Sequence, residues 1–213
     1  MLSRECCAID DQFDCARAER DLRYYRRRGP QPTTRRLLGA LRESKPGGTV
    51  LDIGGGVGVI HHELLSDGFH AAVHVDRSQA YIEVAKREAV KVGHGPQVKF
   101  VHGDFRALAD SLDDADLVTL DRVVCCDPDY ATLLPLAAGR ARQTLALSFP
   151  RDRWFVRLLV SIANLWRRLR GSDFRVYVHP PPAMEALLRT LGLRRKRAVA
   201  MIAWTIEVWE RAL

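Results

Sequence analysis

The stretch Thr49-Val50-Leu51-Asp52-Ile53-Gly54-Gly55-Gly56-Val57-Gly58 decides the fold. Val50, Leu51 and Ile53 suit a buried strand, Asp52 stands near its end, and Gly54, Gly56 and Gly58 follow at alternate positions. A helix is expected to begin at Val57. Strand, glycine turn and helix together aim backbone N–H groups and a helix N-terminus at an incoming ligand. Glycine suits the turn because a Cβ would hold the ligand off the backbone, and because such turns often need positive φ. A second acid, Asp76, closes the next apparent strand, Ala71 to Val75. A carboxylate there can accept hydrogen bonds from ribose hydroxyls. The stretch therefore predicts a nucleoside-cofactor site in preference to an ordinary tight turn.

Outward from this stretch, strands and helices alternate. Strands are expected at 49–53, 71–76, 98–101, 116–124 and 144–149, with helices at 57–67, 78–92, 106–112 and 127–140. Ser78 is the expected N-cap of the second of these helices, and Gly93-His94-Gly95-Pro96 ends it. Such alternation implies a parallel sheet covered by helices on both faces, with ligands at the carboxyl ends of the strands. Residues 1–46 form a helical extension or lid, with helices at 14–28 and 35–43. Gly29-Pro30-Gln31-Pro32 separates them, and Thr33 or Thr34 is expected to cap the second. After Pro150 the regular pattern is interrupted by an amphipathic helix at about 151–170. A helix from Pro180-Pro181-Pro182 to about 191 follows, then strands at 195–202 and 204–209 that form an antiparallel hairpin at one sheet edge. The expected class is α/β, doubly wound, with a mostly parallel seven-stranded sheet and one domain over 47–213.

At 213 residues, with 47% hydrophobic and 28% charged residues, the composition is that of a soluble globular protein. Arg4, Glu5, Asp10 and Asp11 stand where a signal peptide would be apolar, so the cytoplasm is the expected location. The cysteines Cys6, Cys7, Cys15, Cys125 and Cys126 are odd in number and lack C-x-x-C spacing. Reduced thiols are expected, and no metal. The formal charge of +7 comes mostly from arginine, without the interleaved aromatics that single-strand binders use, so nucleic acid is an improbable partner.

These residues resemble the class I S-adenosylmethionine-dependent methyltransferases from about Thr49 to the C-terminus. The resemblance rests on Leu51 to Gly58, on Val75-Asp76, on Gly103-Asp104-Phe105, on Asp116 to Arg122 and on the terminal hairpin. Among members it is similar to small-molecule enzymes of the quinone and Mg-protoporphyrin type. It implies S-adenosylmethionine as cofactor, with Gly54, Gly56 and Gly58 admitting its methionine and ribose portion. It further implies that Asp52 orients the ammonium group, Asp76 binds the ribose, and Asp104 accepts from the adenine amine with Phe105 beside the ring. Asp121 and Arg122 would border the methionine and the transferred methyl. No Asn-Pro-Pro-Tyr or Asp-Pro-Pro-Tyr follows strand four, which argues against amine methylation of bases or proteins.

If the acceptor must lose a proton, candidate bases are His61, His62, Asp121, Tyr24, Tyr25 and His179, the tyrosines belonging to the lid. The helix at 151–170 is expected to help build an acceptor pocket for a flat or lipophilic, anionic small molecule. A membrane interface and a homodimer contact are the other uses of such a face. Two rival functions remain open at this level. An NAD-dependent oxidoreductase would place glycine at 59, where Val59 stands, and a noncatalytic RNA-binding module would use the arginines alone.

Overall fold

A computed structural model describes residues 12–44 and 47–212. The thiols of Cys6 and Cys7 lie outside them. Helix α1 (Cys15–Arg28) begins at Asp14, whose carboxylate accepts from the Arg17 N–H at 2.7 Å. It ends at Gly29, φ 72°, with Arg26, Arg27 and Arg28 over its negative C-terminal end. Helix α2 (Pro32–Ser44) starts on the proline itself, as the ring's fixed φ and missing N–H favour. Thr33 and Thr34 are thus buried in its first turn and are not its caps, a correction to the sequence expectation.

The elements β1 (Thr49–Ile53), α3 (Val59–Ser66), β2 (Ala71–Asp76), α4 (Gln79–Lys91) and β3 (Val98–His102) follow in order. After them come α5 (Phe105–Leu108), β4 (Ala115–Asp121), α6 (Tyr130–Arg140), β5 (Ala141–Pro150), α7 (Trp154–Leu169), α8 (Pro181–Thr190), β6 (Leu193–Ala200) and β7 (Trp204–Arg211). The seven strands run in the order β3-β2-β1-β4-β5-β7-β6. β1 to β5 are parallel, while β7 is antiparallel to both β5 and β6. The expected hairpin is present, joined through 201–203. Strand four stops at Asp121, three residues early, because Arg122 turns to φ 62° and Val124–Cys126 coil into a 3-10 turn.

Alternation along the strands divides the core. Val50, Leu117 and Ala146 face α2 and α3, meeting Leu37, Leu38, Leu41, Ile60 and Leu64. Leu51, Val118, Leu145 and Leu147 face the other way, toward Leu133, Leu134, Met184 and Leu188 of α6 and α8. A sheet buried on both sides is what a parallel crossover topology requires. Its strand order reverses between β1 and β4, which opens a crevice at their carboxyl ends. Among the described residues, no helix is long and apolar enough to cross a membrane.

Leu117 is fully enclosed in the central strand β4. Leu117→Ala is expected to lower stability by about 2–5 kcal/mol, the usual cost of a buried cavity of that size. The check is a urea transition whose midpoint falls at unchanged slope.

Candidate active site

The glycine turn leaves β1 with Gly54, Gly56 and Gly58 at φ 63°, 58° and 90°. It is tied to β2 by the Gly54 N–H on the Val75 carbonyl (2.7 Å) and the Gly56 N–H on Asp76 Oδ2 (2.9 Å). The other Asp76 oxygen accepts from the Ser78 N–H at 2.9 Å. The glycines do different work. A Cβ at Gly54 would strike Val123 at 2.5 Å, and one at Gly58 would strike His61 at 2.6 Å, so those positions are reserved for the protein's own packing. At Gly56 a Cβ would meet only Tyr81, at 3.7 Å, so this is the position that leaves room for a ligand.

Two cavities meet at Gly54. One, of about 550 Å³, lies between the turn and the N-terminal helices and is lined by Asp52, Gly56, Tyr24, Tyr25, Asp121 and Arg122 among others. The other, of about 440 Å³, lies over the ends of β2 and β3 and is lined by Asp76, Asp104, Phe105 and Cys126. The expected cofactor-facing acids therefore border one crevice on either side of Gly54. An open Cβ position at Gly56 and two spare lone-pair directions on the Asp76 carboxylate fit an adenosyl cofactor there.

Each acid is held differently. Burial pushes the Asp76 carboxyl up to about 6, against the opposing pull of the Ser78 and Gly56 N–H groups. Burial likewise raises Asp52 to about 6, offset in part by His74 and by the Thr119 hydroxyl, which donates to Asp52 Oδ1 at 2.8 Å. Asp104 caps α5 by accepting from the Arg106 N–H at 3.1 Å, while its second oxygen lies 3.7 Å from the Arg106 guanidinium and 3.9 Å from that of Arg77. Phe105 is buried in the core beneath the second cavity. Asp121 accepts from the hydroxyls of Thr34 and Ser148, both at 2.5 Å, and lies 3.7 Å from Arg122 Nε. Arg122 is the one non-glycine at positive φ among the described residues. Its N–H donates to Ser148 Oγ at 2.9 Å, and its guanidinium donates to Gln31. Backbone strain at a cavity mouth is a common mark of a functional position.

The histidine expectations are corrected. His61 and His62 line neither cavity; both are buried on the inner side of α3, and burial drives each down to about 3, leaving neutral rings. The β2 residue beside Asp52, His74, joins them, its Nδ1 3.2 Å from that of His61. His179 is also buried, donating to the carbonyls of Val124 and Asp127 and so fixing the turn after β4. Tyr25 lines the cavity, but its hydroxyl donates to Glu63 at 3.0 Å, and burial together with that carboxylate pushes its pKa further up, away from base chemistry. Tyr24 and Asp121 are the expected base candidates that remain beside the crevice. Cys125 and Cys126 are free thiols, their Sγ atoms 3.9 Å apart, packed on the Arg122 carbonyl. Helix α7 contributes no side chain to either cavity, which departs from its expected role as a pocket wall.

Sequence reasoning missed Thr34, Ser148, Gln31, Thr119 and His74. Only Thr119 and His74 had a local signal, as polar residues at inward positions of otherwise apolar strands. The others reach the site across 26 to 91 positions of chain.

Residues 50–142 match the family model described as a methyltransferase domain. No curated protein matches the sequence significantly. Among solved structures, the chain is similar to magnesium protoporphyrin IX methyltransferase from Synechocystis PCC 6803 with bound SAH (TM-score 0.74, 22% identity, 96% of this chain and 98% of that one). It is similar also to an O-methyltransferase family protein from Burkholderia thailandensis (0.69, 18%, 85% and 56%). A third is a putative sarcosine dimethylglycine methyltransferase from Galdieria sulphuraria (0.67, 11%, 84% and 85%). At these identities the structural likenesses establish the fold.

The buried titrating groups set a pH dependence. His61, His62 and His74 have folded pKa values of about 3 against an ordinary 6.5, so below about 6.5 the unfolded chain binds three protons that the native chain refuses. Asp52 and Asp76, at about 6 against 3.8, act in the opposite sense, the native chain binding two protons more between about 6 and 4. Three outweigh two, so stability should fall as pH drops from about 6.5 toward 4. Urea midpoints measured against pH with a chelator present test this. A level or rising stability across that window would mean that the histidines are charged in the native state.

Proposed function

We propose that this chain is a class I S-adenosylmethionine-dependent methyltransferase and that it methylates a small-molecule acceptor that is flat or lipophilic and carries an anionic group; the methyltransferase-domain match over residues 50–142 and the shared fold support this reading. S-adenosylmethionine supplies an electrophilic methyl group on a sulfonium. The protein's part is alignment of an in-line displacement, where proximity supplies up to ~7–11 kcal/mol in favourable intramolecular models. Asp76 accepts from the ribose hydroxyls with its two spare lone pairs, and Gly56 lets that end of the cofactor lie against the turn. Asp104, with Phe105 beneath, receives the adenine amine in the second cavity. Asp52 and Asp121 face the methionine end in the first. The observation that carries this reading is the placement of Asp76 and Asp104 in one cavity that joins the other at Gly54.

The acceptor side is read from the first cavity and from α7. Arg122, with its guanidinium at the mouth of β4, is placed to pair with a carboxylate or phosphate on the acceptor. Tyr24 or Asp121 is placed to take a proton where the acceptor has one to lose. Helix α7 presents Trp154, Leu158, Leu159, Ile162, Leu165, Trp166 and Leu169, each more than half exposed, and buries only Val156. Arg157, Arg167 and Arg168 lie on the same helix, which has no acidic residue. Exposed apolar side chains with Trp and arginine suit the face of an anionic bilayer, from which a lipophilic acceptor is drawn.

Calorimetric titration with S-adenosylhomocysteine tests the cofactor half. Asp76→Ala should weaken binding by about 1–3 kcal/mol, the scale of a lost hydrogen bond to a charged group. Gly56→Val should abolish it, because its side chain fills the free space and φ 58° resists a branched residue. Unchanged affinity in both variants places the cofactor elsewhere.

For the α7 half, the full chain should co-sediment with phosphatidylcholine vesicles containing phosphatidylglycerol and not with phosphatidylcholine alone. The double variant Leu158→Glu, Ile162→Glu should lose this. A chain that ignores both vesicles but sediments as a dimer, and becomes a monomer in the double variant, assigns the face to a second copy instead.

A further inference from the structure

Beneath the glycine turn, on the side away from the solvent, three side chains from three elements aim lone pairs at one point. Asp52 comes from β1, His74 from the adjacent position of β2, and His61 from the first turns of α3. Their relative exposures are 1%, 0% and 0%. His61 Nδ1 is 3.2 Å from His74 Nδ1 and 3.4 Å from Asp52 Oδ2, and all three ligand atoms lie within 4.8 Å of one another. From these contacts we propose that Asp52, His61 and His74 form a binding site for a divalent transition-metal ion of the zinc type, which clamps β1, β2 and α3 together under the turn.

Proton bookkeeping favours a cation over a plain hydrogen-bonded cluster. Two imidazole Nδ1 atoms in contact can share only one proton. The proton that joins the two rings is then unavailable to Asp52 Oδ2, which has no hydrogen-bond partner among the described residues. An unmet buried carboxylate oxygen is costly, and a bound cation would satisfy it together with both Nδ1 lone pairs. The spacing agrees with metal coordination. Bonds of ~2.0–2.1 Å to imidazole nitrogen and carboxylate oxygen in a tetrahedron make ligand–ligand edges of ~3.3–3.4 Å. The His61–His74 and His61–Asp52 edges are 3.2 and 3.4 Å, and the third lies within 4.8 Å.

The surroundings support the same assignment. The Thr119 hydroxyl donates to the other Asp52 oxygen at 2.8 Å and so orients Oδ2, as an outer-shell partner of a ligating carboxylate does. A Cβ on Gly55 would fall 2.5 Å from His74 Nδ1 and 2.8 Å from Asp52 Oδ2, so glycine at 55 keeps the space between these two ligands clear. Asp52 and Gly55 also line the first cavity. Two imidazoles, one carboxylate and a water form a ligand set that zinc accepts. Such an ion would neutralise Asp52 and brace the turn.

The inference is independent of methyl transfer and is tested without it. The chelator-treated full chain is titrated with Co²⁺, followed by Zn²⁺, while visible absorption and thermal unfolding are recorded. One equivalent of Co²⁺ is expected to give the intense d–d absorption of a tetrahedral site, to be displaced by Zn²⁺, and Zn²⁺ should raise the melting temperature. His74→Leu, of similar bulk and apolar, should lose both signals while retaining its circular dichroism. His61→Asn serves as the second variant where His74→Leu does not fold. No tetrahedral absorption and no Zn²⁺-dependent shift in the wild-type chain overturns the proposal, leaving a hydrogen-bonded buried cluster. A band that survives in the folded variant places the ion on other histidines and overturns it equally.

Discussion

The carboxylate of Asp76 fixes the geometry on which the site depends. One oxygen takes the N–H of Gly56 and the other the N–H of Ser78, so a single group joins the glycine turn after β1 to the start of the helix after β2. Both N–H groups belong to sharp turns where no ladder or helix partner is available, and leaving either unmet would cost about 1–3 kcal/mol. The carboxylate is itself held largely out of water, which favours its neutral form, and the two donors offset that penalty. With the turn pinned, Gly56 presents open space toward Tyr81, and both cavities have a common wall at Gly54. A shift of the turn would misplace every backbone group along the crevice at once.

The same turn is braced from below by an unusual amount of buried polarity. Asp52, His61, His62 and His74 are all enclosed, and His62 leans on His94, Nδ1 to Nδ1 at 3.2 Å. Such groups lower stability relative to apolar packing unless every donor and acceptor is satisfied. Here several are not, while the apolar layers on both sides of the sheet are continuous. The core thus tolerates a local cost directly beneath the ligand-facing turn. Local conflict with good packing concentrated at one place in an otherwise consistent fold is the usual mark of function.

How much of this was legible in the sequence follows from the range of each interaction. The strand–turn–helix at Thr49 to Gly58, the cap at Ser78 and the strand-ending acid at Asp76 depend on neighbours within a few residues, and their positions were read directly. The parallel sheet and the edge hairpin followed from the alternation of strands and helices, which acts on whole elements. Strand four was read too long, because the turn at Arg122 rests on Ser148 Oγ, 26 residues away, and no local breaker announces it. His61 and His62 were read toward the ligand because they follow the turn closely. Their burial was decided by α3 packing its inner face on the sheet, where His74 of β2 and Phe100 of β3 receive the His61 ring. The glycine pattern was right about backbone conformation, and side chains of Val123 and His61 stand where a Cβ at Gly54 or Gly58 would fall.

The two halves of the crevice are consequently held with different firmness. The half over β2 and β3 is built from strand ends and one short helix, all anchored in the sheet. The other half, the first cavity, is roofed by α1 and the start of α2. Helix α2 is secured by Leu37, Leu38 and Leu41 in the core and by the Thr34 hydroxyl on Asp121. Helix α1 buries only Ala18 and Leu22 and is otherwise tied by polar pairs, Arg26 with Glu88, Asp21 with Tyr81 and Tyr25 with Glu63. Helix α1 thus adds one leucine to the core where α2 adds three, each worth about 1.5–3 kcal/mol when buried. The covering helix is therefore the least firmly held wall of the first cavity, and the strand-end carboxylates are the firmest. With that order of strengths, the roof of the first cavity can yield without moving Asp76 or the glycine turn.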